Sequence, residues 1–321
     1  MIRYLRHTKT WTATLRRSAW SLAVVVTCFP AGGAACAQQA VAHQGQSPIA
    51  KDNHAPQQSA RTKHDRLMEI YLSDAAEYTI YRDASRKERV ELRREPVYVW
   101  TNPVRTGGQD GAVYVWTCRG RPEVFGSVFS FPATGPRMLY HEFHSLSLSV
   151  LDVQRAGRHA QTWTPLAPGI QVVPIAGSPA PAPSARERLA QMRTLTRDFS
   201  ASSRDRKDRL WELRLLPQPL YRYESTDPDV LDGALFTYVT SAGTDPEALL
   251  LIEVRKPSPN DSPIWHYAIA RFTDLQLSVR YKGNEVFTVP LIPDNSPDPD
   301  LKDRFRGFHD RDIPPVEDKA P

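Results

Sequence analysis

The hydrophobic pattern of the chain changes period several times, and each change marks an expected element. Near the start of the ordered pattern, Leu67, Tyr71, Ala75 and Tyr78 recur at helical spacing, and Thr62 or Asp65 stands where a cap belongs. Apolar residues three to four apart fall on one side of a 3.6-residue helix, so 63–77 is expected to be helical. From 89 to 153 the pattern turns to β-branched and aromatic runs. Val97-Tyr98-Val99-Trp100 and Val113-Tyr114-Val115-Trp116 flank the turn-rich Thr106-Gly107-Gly108-Gln109-Asp110-Gly111, the signature of strands joined by a loop. Residues 123–131 and 139–153 supply two more strands, the first entered through Arg119-Gly120-Arg121-Pro122.

A proline-rich bridge over 165–184 ends in Pro179-Ala180-Pro181-Ala182-Pro183 and is expected as an extended surface connection. Ser184 and Glu187 then form an S-x-x-E capping box, and Leu189, Met192, Leu195 and Phe199 stripe a second helix. Met192 in such a stripe reads as core. After the charged loop 204–209, strands are expected at 210–216, 220–224, 234–240, 249–256, 265–273, 275–281 and 285–290. No repeated sequence is evident, although both halves run helix then sheet. Helices set apart from hairpin-connected strands define an α+β class: antiparallel meanders in a curved sheet or sheets, with two main helices packed on them. Residues 62–292 are expected as one domain, or as two similar-sized halves joined by the bridge. In 293–321, Asp, Pro and Arg dominate, and a disordered or loosely packed tail is expected.

The first 37 residues carry a different signal. Arg3, Arg6, Lys9, Arg16 and Arg17 lead, an apolar run follows from 19 to 29, and small residues end at Ala35-Cys36-Ala37. These are the three parts of a secretory signal peptide, with cleavage expected after Ala37 and export to the periplasm or the exterior. The apolar run is shorter than the roughly 20 residues a spanning helix needs, so no transmembrane segment is expected once the leader is removed. Gly33 stands where a lipoprotein signal wants a bulky aliphatic residue before Cys36, and Ala19 weakens a twin-arginine reading of Arg16-Arg17. Residues 38–61, rich in Gln, Ala, His and Ser, read as a flexible tether.

Removing the leader also changes the charge. The chain has 41 Lys and Arg against 36 Asp and Glu; five of those bases and no acid precede residue 38, which leaves 36 of each sign. A neutral chain has no long-range attraction for nucleic acid, which argues against that partner. One cysteine, Cys118, remains beyond the leader. It can form no internal disulfide, and Val113, Val115 and Trp116 beside it suggest a buried strand position.

Several candidate sites follow. His141-Glu142-Phe143-His144 resembles a zinc motif, but the two imidazoles are three apart, not the four of a helical chelate. The alternation of Leu146, Leu148 and Val150 with serines predicts a strand through 140–150. Pleating then aims His141 away from His144 and sets Glu142 and His144 together on the core-facing side. No metal and no cofactor is expected. Glu142 and His144, with Arg121 and Glu123 on the preceding strand, are the candidate catalytic groups; the bland alternative is a hydrogen-bonded polar pair. Asp227-Pro228-Asp229 with Asp232-Gly233 misses the calcium-loop register and reads as a turn, as does Asp245-Pro246-Glu247. Arg222, Glu253 and Arg271 are charges within apolar strands and are expected to pair across the sheet, because buried charges need partners. Tyr221 and Tyr223 could stack against a sugar. There is no nucleophile elbow, P-loop or dinucleotide-binding glycine pattern.

A set of longer phrases carries a family resemblance: Trp100-Thr101-Asn102-Pro103-Val104-Arg105, Trp116-Thr117 with Gly120-Arg121-Pro122-Glu123, His141-Glu142-Phe143-His144-Ser145-Leu146, Leu213-Arg214-Leu215-Leu216-Pro217-Gln218-Pro219-Leu220-Tyr221-Arg222-Tyr223, Asp232-Gly233-Ala234-Leu235-Phe236 and Thr244-Asp245-Pro246-Glu247. Together they resemble an uncharacterised family of exported planctomycete-type bacterial proteins over most of 65–290. The resemblance implies export and brings no activity with it. The expectation from the residues is an exported, non-catalytic binding or envelope-assembly module with a polysaccharide or protein partner. The alternative is a hydrolase built on Glu142 and His144.

Overall fold

The structure, a computed structural model, describes residues 62–102, 108–157, 162–241, 243–256, 258, 261–293 and 300–316. The expected leader (1–37) and tether (38–61) lie outside the described residues. Helix α1 (Lys63–Ala76) is opened by Thr62, whose hydroxyl accepts from the Asp65 backbone while Asp65 reaches back to the Thr62 N–H. Helix α2 (Ala185–Leu195) is opened by Ser184, which accepts from the Glu187 N–H. Both caps are the ones the sequence names. Apart from a single 3-10 turn (Thr196–Asp198), the other regular elements among the described residues are antiparallel strands, giving the expected α+β class.

Two strongly curled sheets stand face to face. The first holds β1 (Tyr78–Tyr81), β2 (Arg89–Leu92), β3 (Tyr98–Asn102), β4 (Gln109–Cys118), β5 (Arg121–Pro132), β6 (Arg137–Ser145), β7 (Asp152–Arg155) and β17 (Phe305–Ile313). The second holds β8 (Val173–Pro174), β9 (Phe199–Arg204), β10 (Leu210–Leu215), β11 (Tyr221–Glu224), β12 (Val230–Val239), β13 (Pro246–Arg255), β14 (Ile264–Arg271), β15 (Gln276–Tyr281) and β16 (Asn284–Val289). Period-2 pleating sorts their side chains among three cores. In β4, Ala112, Tyr114 and Trp116 pack under α1, whereas Val113 and Val115 face the other sheet. In β13, Leu250 and Ile252 pack under α2, whereas Leu249 and Leu251 face the first sheet. The layers therefore run helix, sheet, sheet, helix. Strands covered on both faces read as continuous apolar runs, which is how 246–255 and 265–273 appear in the sequence. Cys118 is buried in the core under α1, as expected.

Several expectations need correction. Strand β6 stops at Ser145 instead of running through 150. The Ser145 and Ser147 hydroxyls take the N–H groups of Ser147 and Ser149, a local serine turn that competes with the sheet ladder. Leu148 and Val150 are exposed. Phe199 opens β9 instead of ending α2. The tail contains β17, which pairs with β6 from Phe305 opposite His144 to Ile313 opposite Arg137. Its buried Phe305, Phe308 and Ile313 are few but spaced to meet a sheet edge.

The two halves also repeat one another, which the sequence reading missed. In the first sheet the order is β7-β1-β2-β4-β5-β6-β17, with β3 set aside on β4. In the second it is β15-β9-β10-β12-β13-β14-β8, with β11 set aside on β12 and β16 added beyond β15. Each half runs helix and seven strands in the same connectivity and then sends a strand to the other half's sheet, directly in the first half and after the extra hairpin strand β16 in the second. Thus β8 pairs with β14, and β17 pairs with the equivalent β6. The correspondence extends to irregularities: the ladder slips between Trp116 and Thr117, and equally between Tyr238 and Val239. The extra residues at these slips are Glu123 and Glu247, whose carbonyls accept from Leu146 and Phe272. Three short phrases mark the repeat: Pro96-Val97-Tyr98 and Pro219-Leu220-Tyr221, Asp110-Gly111-Ala112 and Asp232-Gly233-Ala234, Pro122-Glu123 and Pro246-Glu247. The glycines have a steric reason. A Cβ at Gly111 would come 2.4 Å from Trp100 Cε2, and one at Gly233 would come 2.3 Å from Tyr223 Cζ. In each half an aromatic ring lies across bare backbone.

Candidate functional site

The seam between the sheets contains two places related by the repeat, and they differ in what fills them. At the first, the side chain of Arg121 enters from the start of β5. Its Nε donates to Glu253 Oε1 at 2.8 Å, and its Nη1 donates to the Leu146 carbonyl at 3.0 Å and to Glu123 Oε1 at 3.3 Å. Tyr223 donates to the same Glu253 oxygen at 2.5 Å, and Arg255 Nη1 donates to the other at 2.8 Å. All but the partly exposed Arg255 are buried. Burial works against the charge on Arg121, yet Glu253 and Glu123 outweigh it and hold the guanidinium above its ordinary value. Burial likewise opposes ionised Glu253, and Arg121 and Arg255 hold its pKa below the ordinary carboxylate value.

At the second place there is a cleft of about 410 Å³. Trp100 corresponds to Tyr223, and Glu247 corresponds to Glu123. Phe129 stands at the position of Glu253, and Asp245 at the position of Arg121. Tyr140 and Glu142 of β6, Gly307 of β17, Asp274 before β15 and Arg206 before β10 complete the walls used below. Trp100 and Phe129 meet with ring centroids 5.4 Å apart, and Phe129 stacks on Tyr140 at 5.5 Å. Asn102 donates to Asp245 Oδ1 at 3.1 Å. The lining carries the carboxyl groups of Glu142, Asp245, Glu247 and Asp274 and the guanidinium of Arg206.

The candidate catalytic residues are dispersed by this arrangement. Arg121 and Glu123 belong to the filled place. Glu142 lines the open cleft. His144 lines a separate cavity of about 600 Å³ together with Arg271. His144 Nδ1 donates to the Ser145 carbonyl at 2.7 Å, and burial lowers its pKa to about 4. Glu142 and His144 share the seam side of β6, as pleating requires, but that side is not the only one that faces a core. Both sides of β6 are covered, one by α1 and one by the second sheet.

Pleating does send the two imidazoles apart, as expected for 140–145. His141 enters a buried ionic network under α1. Its Nδ1 lies 2.8 Å from the Tyr78 hydroxyl, and its Nε2 lies 3.5 Å from Asp74 Oδ1. Arg155 donates to Asp310 at 2.6 Å and to Glu77 at 2.8 Å, while Arg311 binds both Asp74 and Asp310. Asp74, His141 and Asp310 bring ligand atoms within 4.8 Å of one another, so a metal-like trio exists among the described residues where none was expected. Two guanidiniums already take its carboxylates, which makes it an ion-pair network in chemical character.

The remaining candidates fall as follows. Tyr223 is buried and committed to Glu253, and Tyr221 stacks on it at 5.7 Å while donating to the Gly120 carbonyl, so they do not form an open sugar-stacking face. Arg222, Glu253 and Arg271 do not pair with one another. Arg222 binds Asp232, which also accepts from Arg188 at 2.5 Å. Arg271 donates to the carbonyls of Thr273, Leu275 and Pro290, and burial lowers its pKa to about 10. Asp227 is a turn residue bound to Arg82, and Pro246 opens β13, as read from the sequence. The cleft residues Trp100, Tyr140 and Glu247 were missed as site residues. The signal that could have found them is the doubled Asp-Gly-Ala and Pro-Glu. Among the described residues no helix is long and apolar enough to cross a membrane. Comparison with known proteins finds no matching family model, no similar curated protein and no similar solved structure.

Proposed function

We propose that this chain is a non-catalytic binding module of an exported protein and that its ligand enters the cleft bounded by Trp100, Glu142 and Glu247. One observation carries the reading: an open cavity with aromatic walls and convergent polar groups lies at the seam of two rigid sheets. Sites for small ligands are concave, largely apolar and supplied with a few fixed polar groups. Export and membership of the uncharacterised planctomycete-type family rest on the sequence reading of the leader and phrases.

The hydrolase alternative is less well supported. A general base and its partner must both reach one reacting group within about 3 Å or through one water. Glu142 and His144 open into different cavities, and His144 is neutral with one nitrogen committed to a carbonyl.

The test is calorimetric titration and thermal melting of the purified chain with envelope sugars, short peptides and simple organic ions, repeated on Gly307→Leu. A Cβ at Gly307 would meet Glu142 at ordinary contact distance, 3.4 Å, so the longer side chain can occupy the cleft. A ligand that binds only the native fold raises the melting temperature by mass action. The expected result is a rise in the wild type that is lost in Gly307→Leu. A ligand that stabilises both equally, or no stabilisation by any class, overturns the assignment.

A further inference from the structure

We infer that the cavity of about 600 Å³ beside His144 and Arg271 is a second binding site, which takes a monocarboxylate carrying a short apolar chain. It shares no lining residue with the seam cleft, so the inference stands independently of the ligand proposed there. Arg271 ends β14 and lines the cavity while only 9% exposed. Its Nε, Nη1 and Nη2 donate to the carbonyls of Thr273, Pro290 and Leu275 at 2.9, 3.1 and 2.9 Å, and the guanidinium lies 5.5 Å from the centroid of the Phe305 ring. All four partners are neutral, and among the described residues Arg271 forms no ion pair. Other buried guanidiniums do: Arg121 meets Glu253, Arg155 meets Asp310 and Arg188 meets Asp232. A buried charge is costly to hold without a counter-ion. The carbonyls take three of the five guanidinium N–H groups, so one on each terminal nitrogen remains for an anion.

The surroundings decide the class of anion. Burial works against the charge on Arg271 and outweighs Asp274, Asp303 and Glu142, which act without contact, while Arg306 opposes it as well. With its pKa at about 10 the group is still charged at neutral pH. His144 is neutral there and adds no charge. Lys302 and Arg304 line the cavity together with Asp300 and Asp303, and all four are exposed. They cancel in formal charge, which leaves Arg271 as the one unmatched cation of the lining. A single unmatched positive charge suits a monoanion. A phosphate dianion would bring surplus negative charge in among the two aspartates. Leu166, Ile269, Phe287, Val289, Ile292 and Phe305 make the remaining wall apolar, which favours a hydrocarbon chain behind the anionic group. A guanidinium and a carboxylate form the strong, charge-assisted kind of hydrogen bond.

The experiment is calorimetric titration of the full chain with hexanoate, hexanamide, hexylammonium, acetate and the dipeptide acetyl-Ala-Leu with its carboxylate free. Hexanoate is expected to bind about tenfold or more tightly than hexanamide or hexylammonium, as a charge-assisted bond in a shielded site allows. It should exceed acetate by a similar factor, because its chain is buried. Arg271→Met should abolish the preference for the anion. Arg271 also ties three backbone carbonyls together, so cooperative melting checks that this variant folds; where it does not, Ala167→Phe decides in its place. Ala167 lines the cavity and is only partly buried, so the larger ring fills the space and should weaken hexanoate binding. Gly307→Leu, which fills the seam cleft, should leave hexanoate binding unchanged. Tighter binding of hexanoate than of the dipeptide assigns the site to a free acid, and the reverse assigns it to a chain terminus; either supports the inference. Equal binding of hexanoate and hexanamide overturns it, as does acetate binding as tightly as hexanoate. An anion preference that survives the deciding variant, or is lost in Gly307→Leu, places the anion elsewhere and overturns it too. So does the absence of hexanoate binding.

Discussion

The imidazole of His144 is held in the seam by a hydrogen bond from its Nδ1 to the Ser145 carbonyl. Burial lowers its pKa to about 4 from the ordinary 6.5, with Arg271 and Arg304 acting in the same direction. The unfolded chain therefore takes up a proton first as pH falls. This contribution to stability is complete above about pH 6.5 and is lost progressively down to about pH 4. Between pH 7 and pH 5 the loss is about 2 kcal/mol. Buried His141, also shifted down by burial, adds in the same direction. The second half has Ala270 at the position of His144, so His144→Ala is compatible with the fold. Urea denaturation at pH 7 and pH 5 should show a shallower decline in the variant by about this amount; parallel curves would contradict the role assigned to burial.

At the scale of the elements, the network under α1 has an instructive counterpart. Asp74, Tyr78, His141, Arg155 and Asp310 correspond in ladder register and chain order to Leu195, Phe199, Tyr267, Tyr281 and Ile175. One set is ionic, and the other is an apolar and aromatic cluster in which Phe199 packs on Tyr267 and Tyr281. The connectivity of helix and strands thus does not require charge at these positions. Removing one member leaves a buried charge unpaired, whereas exchanging the set removes the desolvation cost as well. Asp310→Ala is expected to destabilise the chain by about 3–5 kcal/mol, because Arg155 loses its shortest bond. The fivefold exchange to the residues of the second half should cost far less than that single change, or stabilise. Equilibrium denaturation of both variants decides; a fivefold variant weaker than Asp310→Ala would show that the two half-cores are not interchangeable.

At the scale of the molecule, the exchanged strands β8 and β17 tie the halves together in addition to the seam. Each sheet receives an edge strand from the far side of the chain, and the seam buries Leu249, Leu251, Val113, Val115 and Phe125. The bridge at 176–180 is largely exposed and carries no ladder pairing. A protease site inserted there should be cut readily, and the two fragments should then co-elute as one particle and melt together. Separation of the fragments under native conditions would count against the exchange of strands as a structural tie.

The sequence alone determined the two helices and their caps, the positions of most strands, the buried cysteine and the divergence of His141 from His144. Each of these is set by local periodicity or by a capping residue within a few positions. It did not determine the repeat, because Asp-Gly-Ala and Pro-Glu are 12 residues apart in the first half and 14 in the second, with little identity between them. Nor could it show which polar residues meet. Arg121 finds Glu253 across 132 residues, and Arg155 finds Asp310 across 155. These meetings depend on the facing of two sheets and the exchange of two strands, so tertiary packing alone decided that one related place is filled by arginine and the other stands open.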